Sequence, residues 1–169
     1  MAREEDGIMS DLKLTKIPSV RVGLLMRTPP EQAFEAVRDP AIATRFWYTG
    51  STGPMVPGAE LRWEWDMYGV STEVVVGEVE ENRRIAFRWN TQDPEAATDV
   101  EFRFDDRGPA GTYVEITETG LRGDGDALVD HVGASTEGFT FVLSALKAYL
   151  EHDLVLHIIE DAHPDERVA

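Results

Sequence analysis

The chain has 169 residues, 42% of them apolar, and a formal net charge of −16 from 32 acidic against 16 basic side chains. Without cysteine it has no disulfide framework, thiol nucleophile or cysteine metal site. The excess negative charge repels phosphate backbones and anionic headgroups, and Arg83-Arg84 is the only adjacent basic pair, so neither nucleic-acid binding nor membrane insertion is expected.

The first residues, Met1 to Asp6, are polar or charged apart from Met1 and Ala2, and no apolar signal region follows them. A cytoplasmic protein of one domain over 1–169 is expected, with a core from about residue 17 to 152 and an extension at each end. Val20 to Met26 reads as a strand. Pro29-Pro30-Glu31-Gln32-Ala33-Phe34-Glu35-Ala36-Val37 reads as a helix opened by Thr28 or Pro29. Proline is tolerated in a first turn, and Ala33, Phe34 and Val37 form one apolar stripe. Asp39-Pro40 ends it, because the residue before proline is pushed out of the α region. Ala41 to Phe46 allows a further helical turn, and Gly50 to Gly58 is rich in turn residues.

Strands at hairpin spacing follow. Ala59 to Tyr68 alternates Leu61, Trp63, Trp65 and Met67 against Arg62, Glu64 and Asp66. Val70 to Glu80 carries the run Val74-Val75-Val76, which hides its facing. Arg84 to Asn90 sets Ile85, Phe87 and Trp89 on one face, and Thr98 to Phe104 does the same with Val100, Phe102 and Phe104. Thr112 to Thr119 is the last strand. Such alternation predicts an antiparallel sheet with one wet face. From about Asp126 the apolar period becomes helical through Leu128, Val132, Phe139, Val142, Leu143, Leu146, Tyr149 and Leu150. Gly133 and Gly138 weaken its first half, so the helix begins between Asp126 and Ser135. The order is α+β. A long apolar helix must bury its stripe against the concave sheet face, and a strongly curved sheet around one helix encloses a space.

Several pieces, in order, resemble the activator of heat-shock protein ninety ATPase homologue-like family of the START-like (SRPBCC) helix-grip superfamily. They are the helix from Pro29, Phe46-Trp47, Val56-Pro57-Gly58 before a strand, Gly77-Glu78-Val79 before Arg83-Arg84-Ile85, Gly111 to Ile116, Gly120-Leu121 and Gly138-Phe139. Together they span Val20 to Leu150. The chain departs from the family where Pro57-Gly58 replaces two glycines, where Gly138-Phe139 replaces Gly-Trp, and where it continues past Leu150. The resemblance implies a curved antiparallel sheet wrapped around a long C-terminal helix, with two short helices after the first strand. It implies no one activity, because members bind, catalyse or regulate on one scaffold.

Candidate ligand-binding residues are the inward-parity aromatics Trp63, Trp65, Phe87, Trp89, Phe102 and Phe104, joined by Ile116, Glu118, Phe139, Val142 and Leu146. Aromatics are also ordinary core residues, but each buried tryptophan N–H needs a partner. Glu118 shares the parity of Val114 and Ile116, and a buried carboxylate can act as acid or base, which makes it the one catalytic candidate. The simpler expectation is that the strand frays there and leaves Glu118 solvated. Family members commonly carry histidine at the matching point. Arg45, Tyr48 and Tyr68 are candidates for polar groups at a cavity mouth.

His131, His152, His157 and His163 come late in the sequence, and Asp153 with His157 has a four-residue spacing better explained by an exposed ion pair than by a metal. Gly120 to Asp126 lacks the closing glutamate of a calcium loop. No metal or cofactor is expected, and no triad order, phosphate loop or HExxH motif occurs. The function expected is that of a non-enzymatic binding or regulatory protein holding a small hydrophobic ligand. The alternatives are a cyclase- or hydrolase-like enzyme using the same cavity and a co-chaperone of a heat-shock ATPase. Past Leu150 the residues Leu154, Val155, Leu156, Ile158 and Ile159 exceed one stripe if the helix continues. That predicts a homodimer contact or, failing it, a tail folded over Ile8 or Leu12 and Leu14.

Overall fold

Proline and aspartate set the early elements as their chemistry requires. The computed structural model describes residues 12–168. Strand β1 (Val20–Met26) leads into helix α1 (Pro30–Arg38), capped by Pro29 with a proline at its first position. Asp39 is extended and accepts a hydrogen bond from the Ala41 amide, which opens the short helix α2 (Pro40–Ala43). The strands that follow are β2 (Gly50–Ser51), β3 (Glu60–Trp65), β4 (Val70–Glu80), β5 (Arg84–Trp89), β6 (Thr98–Asp106) and β7 (Thr112–Thr119). Helix α3 (Gly125–His152) crosses the sheet, and α4 (Ile158–Ala162) lies in the tail.

The described strands form one seven-stranded antiparallel sheet in the order β1-β7-β6-β5-β4-β3-β2. Six strands, β2 to β7, form a meander, and β1 closes against the last of them. Expected alternation is observed: Trp63, Phe87, Phe102, Val114 and Ile116 are buried, while Arg62, Asp99 and Arg103 face outward. The valine run resolves with Val74 and Val76 buried and Val75 exposed, and the β4–β5 register shifts just beyond, between Val76 and Val79. Strand β3 stops at Trp65, earlier than the alternation suggested, because Asp66 to Tyr68 coil into a single 3₁₀ turn closed by Gly69 in the left-handed region. At the β6–β7 turn Gly111 has φ 120°, and a Cβ there would clash with the Met26 carbonyl oxygen. The turn is glycine-dependent for that reason.

This is the helix-grip α+β architecture: a curved sheet around one long helix. The helix starts at the early limit of its expected range, and Asp124 caps it by accepting from the Ala127 amide. Gly133 and Gly138 do not interrupt it. Phe139, Val142, Leu143 and Leu146 are buried beneath it. It packs most closely over β1, where Lys147 Nζ donates to the Leu25 carbonyl at 2.7 Å. Over β5 it stands further off, and a space opens.

The tail corrects an expectation. The helix does not continue through Ile159; it ends at His152, with Asp153 left-handed at φ 53°. The chain then reverses across the β3–β4 hairpin. The Tyr68 hydroxyl donates to the Ile159 carbonyl, and the Val168 amide donates to the Met67 carbonyl at 2.9 Å. The tail therefore does not cover Leu12 and Leu14, which are exposed; Ile8 lies outside the described residues. No helix among the described residues is long and apolar enough to cross a membrane.

Candidate functional site

The space between β5 and α3 is an open cavity of about 580 Å³. Its sheet side carries Trp65, Trp89, Asn90 and Glu118, and Trp47 enters from the segment after α2. Its helix side carries Asp130, His131, Ala134, Ser135, Gly138, Phe139 and Val142, which recur at three- and four-residue intervals along one stripe. Ile159 of the tail completes the wall. The space exists because the helix presents small residues for a full turn, Ala134, Ser135 and Gly138. A Cβ on Gly138 would meet nothing within 4 Å. At one end the Trp89 and Phe139 rings stack across sheet and helix, 5.6 Å between centroids at 19°.

Strand pairing builds the polar centre. Val100 pairs with Glu118, and Trp89 pairs with Thr98, so Thr98 sits diagonal to Glu118 on the inner face. Glu118 is 1% exposed, so it is buried rather than solvated as the frayed-strand reading expected. Its Oε2 accepts from Thr98 Oγ1 at 2.6 Å. Trp89 Nε1–H is shared between Thr98 Oγ1 at 2.8 Å and the same Oε2 at 3.2 Å. Its Oε1 lies 3.2 Å from His131 Nε2. These donors compensate for lost solvation, which is why the strand stays regular to Thr119. An ionised carboxylate only accepts, so opposite ionised Glu118 the neutral ring carries its proton on Nε2 and leaves Nδ1 to accept.

Of the sequence candidates, Trp65, Trp89, Glu118, Phe139 and Val142 line this cavity. Trp63, Phe87, Phe102, Phe104, Ile116 and Leu146 do not; they are buried in the packed core beneath it. Trp47 locks that core, with its ring centroid 4.7 Å from Trp63 and 5.4 Å from Phe102. Two tryptophan N–H groups find partners within the protein: Trp89 at Thr98 and Glu118, and Trp65, whose Nε1 donates to the Trp47 carbonyl at 3.1 Å. Among the described residues the buried Trp63 Nε1 has no hydrogen-bond partner.

The mouth candidates are placed elsewhere. Arg45 lies over the Tyr149 ring, 5.6 Å from its centroid. Tyr48 is buried, and burial pushes its phenol up from the usual tyrosine value. Tyr68 holds the tail. Asn90, Asp130, His131, Ser135 and Ile159 were not singled out as cavity residues. The helical spacing from His131 to Phe139 was the available signal, obscured by the two glycines between them.

His157 pairs with Glu160 at 3.1 Å rather than with Asp153. Among the described residues no group of three His, Asp or Glu side chains is placed to hold a metal. A depression of about 540 Å³ on the outer sheet face is spanned by paired charges, Arg88 with Asp99 and Arg84 with Glu101. Nearby, folding gathers Arg83, Arg84, Arg103 and Arg107, which sequence spacing had left scattered. Glu80, Asp105 and Glu115 lie among them, so charge is nearly balanced there.

A curved sheet gripping one helix over an aromatic cavity defines the class as a START-like helix-grip protein. Residues 27–151 match the family described as "Activator of Hsp90 ATPase homolog 1-like protein", and the chain belongs to that family. Among solved structures it is similar to protein SSP2350 from Staphylococcus saprophyticus, with 28% identity and a TM-score of 0.72 over 82% of this chain and 96% of that one. It is also similar to DynU16 of the dynemicin biosynthetic locus, at 23% identity and a TM-score of 0.71 over 81% of this chain. There it spans 48% of the longer protein. A third is the Aha1 dimer from Colwellia psychrerythraea, at 17% identity and a TM-score of 0.70 over 80% of this chain and 97% of that one. The last two likenesses concern the fold alone. No curated protein sequence matches the chain.

Proposed function

We propose that the protein binds a small, largely apolar molecule against Trp65 and the stacked Trp89–Phe139 pair, with its polar end at the Glu118–His131 pair. One observation carries this reading: a cavity of about 580 Å³ walled by aromatic rings, into which one fixed polar pair projects. Ligand sites commonly combine an apolar wall with a few oriented polar groups. Native mass spectrometry of freshly purified protein should detect a bound small molecule. An apolar fluorescent probe should quench tryptophan emission and saturate at one per chain. Gly138→Leu, which fills the cavity from the helix side, should abolish that saturation. Weak, unsaturable quenching that Gly138→Leu leaves unchanged would overturn the reading.

The Glu118–His131 pair specifically favours a second reading, a cyclase- or hydrolase-like enzyme. A carboxylate that orients an imidazole is a common device for proton transfer, with His131 as base and Glu118 as its positioning residue. Hydrolysis of aryl esters that disappears in His131→Gln, while probe binding persists, would favour this reading over a carrier. A co-chaperone role would rest on protein surfaces, and copurification with the chaperone would be its support.

A further inference from the structure

We infer that the ligand of this cavity is a cation: a hydrophobic amine bound in its ammonium form. The inference rests on the cavity being the binding site and concerns the charge of its occupant. Three observations converge.

The first is the charge of the wall. Among the residues lining the cavity are two carboxylates, Glu118 and Asp130, and neither lysine nor arginine. Asp130 makes no ion pair among the described residues, and Glu118 meets only neutral donors and the His131 ring. A negatively charged, partly desolvated wall attracts cations and repels carboxylate or phosphate ligands. The whole chain, at −16, adds to the same field.

The second is an unused acceptor site. A carboxylate offers about four lone-pair directions. Thr98 and the shared Trp89 N–H occupy those of Oε2, and His131 occupies one on Oε1. One direction on Oε1 has no partner among the described residues. A charged donor makes the stronger bond there.

The third is the aromatic surface. Trp47, Trp65 and Trp89 line the same cavity as the two acids. An ammonium near Glu118 with an apolar body against the tryptophans satisfies both kinds of surface. A fatty acid or other anion satisfies only one.

Three probes that share an aromatic body test this: naphthylmethylammonium, naphthylmethanol and naphthylacetate, titrated at fixed ionic strength and followed by calorimetry. The ammonium should bind at least about tenfold tighter than the alcohol, and the carboxylate weakest. Glu118→Gln should reduce the preference for the ammonium several-fold. Asp130→Asn, at an exposed helical position, should reduce it as well and keeps the test valid if Glu118→Gln fails to fold. Equal or tighter binding of the alcohol or the carboxylate would overturn the cation assignment and leave the cavity reading standing. A preference unchanged in Asp130→Asn and in a folded Glu118→Gln would also overturn it. Failure of all three probes to saturate would overturn the cavity reading itself.

Discussion

Thr98 donates to the buried Glu118 carboxyl at 2.6 Å, and Trp89 reaches both. Thr98→Val keeps the shape but removes the nearer donor. It should cost about 1.5–3 kcal/mol, the range for hydrogen bonds to charged groups, read as a lower urea midpoint at neutral pH. Thr98→Ser should restore most of that loss, and a Thr98→Val midpoint equal to the parent's would argue against an ionised Glu118. Strand parity alone placed Glu118 inward. Its burial was not legible, because its partners come from β5, β6 and α3, which meet only in the folded chain. Tyr48 supplies a pH prediction. Its phenol is raised in the folded state, so the native state holds that proton more tightly than the unfolded chain. That stability is fully present below the ordinary tyrosine value of about 10 and is lost as pH rises above it, by up to about 1.4 kcal/mol per unit. Tyr48→Phe should flatten the decline in a denaturation series run into the alkaline range, and an unchanged slope would sink the account.

In α3 two glycines have opposite uses. Gly133 and Gly138 both sit where a Cβ would meet open space, but only Gly138 faces the cavity. Gly133→Ala should stabilise the protein by about 0.5–1 kcal/mol through helix propensity, seen as a raised melting temperature with probe binding unchanged. Leu146 is fully buried under the same helix, and Leu146→Asp should unfold the domain, since an unpaired buried charge is among the costliest substitutions. Near-unchanged melting of that variant would contradict the packing. The helix was legible from its 3.6-residue period and the strands from their alternation. What periodicity could not show was the end at His152. The residues beyond it are as apolar as those before, and the stop is a left-handed Asp153 followed by tail contacts to Tyr68 and Met67. His163 reaches the other bank, with Nε2 3.4 Å from Glu137 on α3, so the tail spans the cavity between sheet and helix. Truncation after Asp153 should preserve the circular-dichroism spectrum yet weaken probe binding about tenfold by removing Ile159, and unchanged affinity would exclude the tail from the site.

Across the whole molecule, charge and apolar exposure pull in opposite directions. The net charge of −16 disfavours the compact state and opposes contact between copies. Leu154, Val155 and Leu156 favour such contact, being 54%, 41% and 45% exposed in the irregular stretch after α3. Ending the helix at His152 removes the continuous stripe on which the sequence argument for a homodimer was built, but it leaves this shorter strip in its place. We therefore keep the dimer as a proposal with a salt condition attached. The Debye length falls from about 30 Å at 0.01 M salt to about 8 Å at 0.15 M. Added salt should raise the melting temperature at every protein concentration, because screening relieves repulsion within one chain. If Leu154 to Leu156 form a contact between copies, the melting temperature at the higher salt should also rise with protein concentration, and light scattering should report a mass near twice that of the chain. Replacing Val155 and Leu156 by serine should remove the concentration dependence and leave the salt dependence. A scattering mass of one chain at high salt and high concentration would end the dimer proposal. A melting temperature insensitive to salt would show that the acidic surface is locally compensated, as it is where Arg84 meets Glu78 and Glu101 on the outer sheet face.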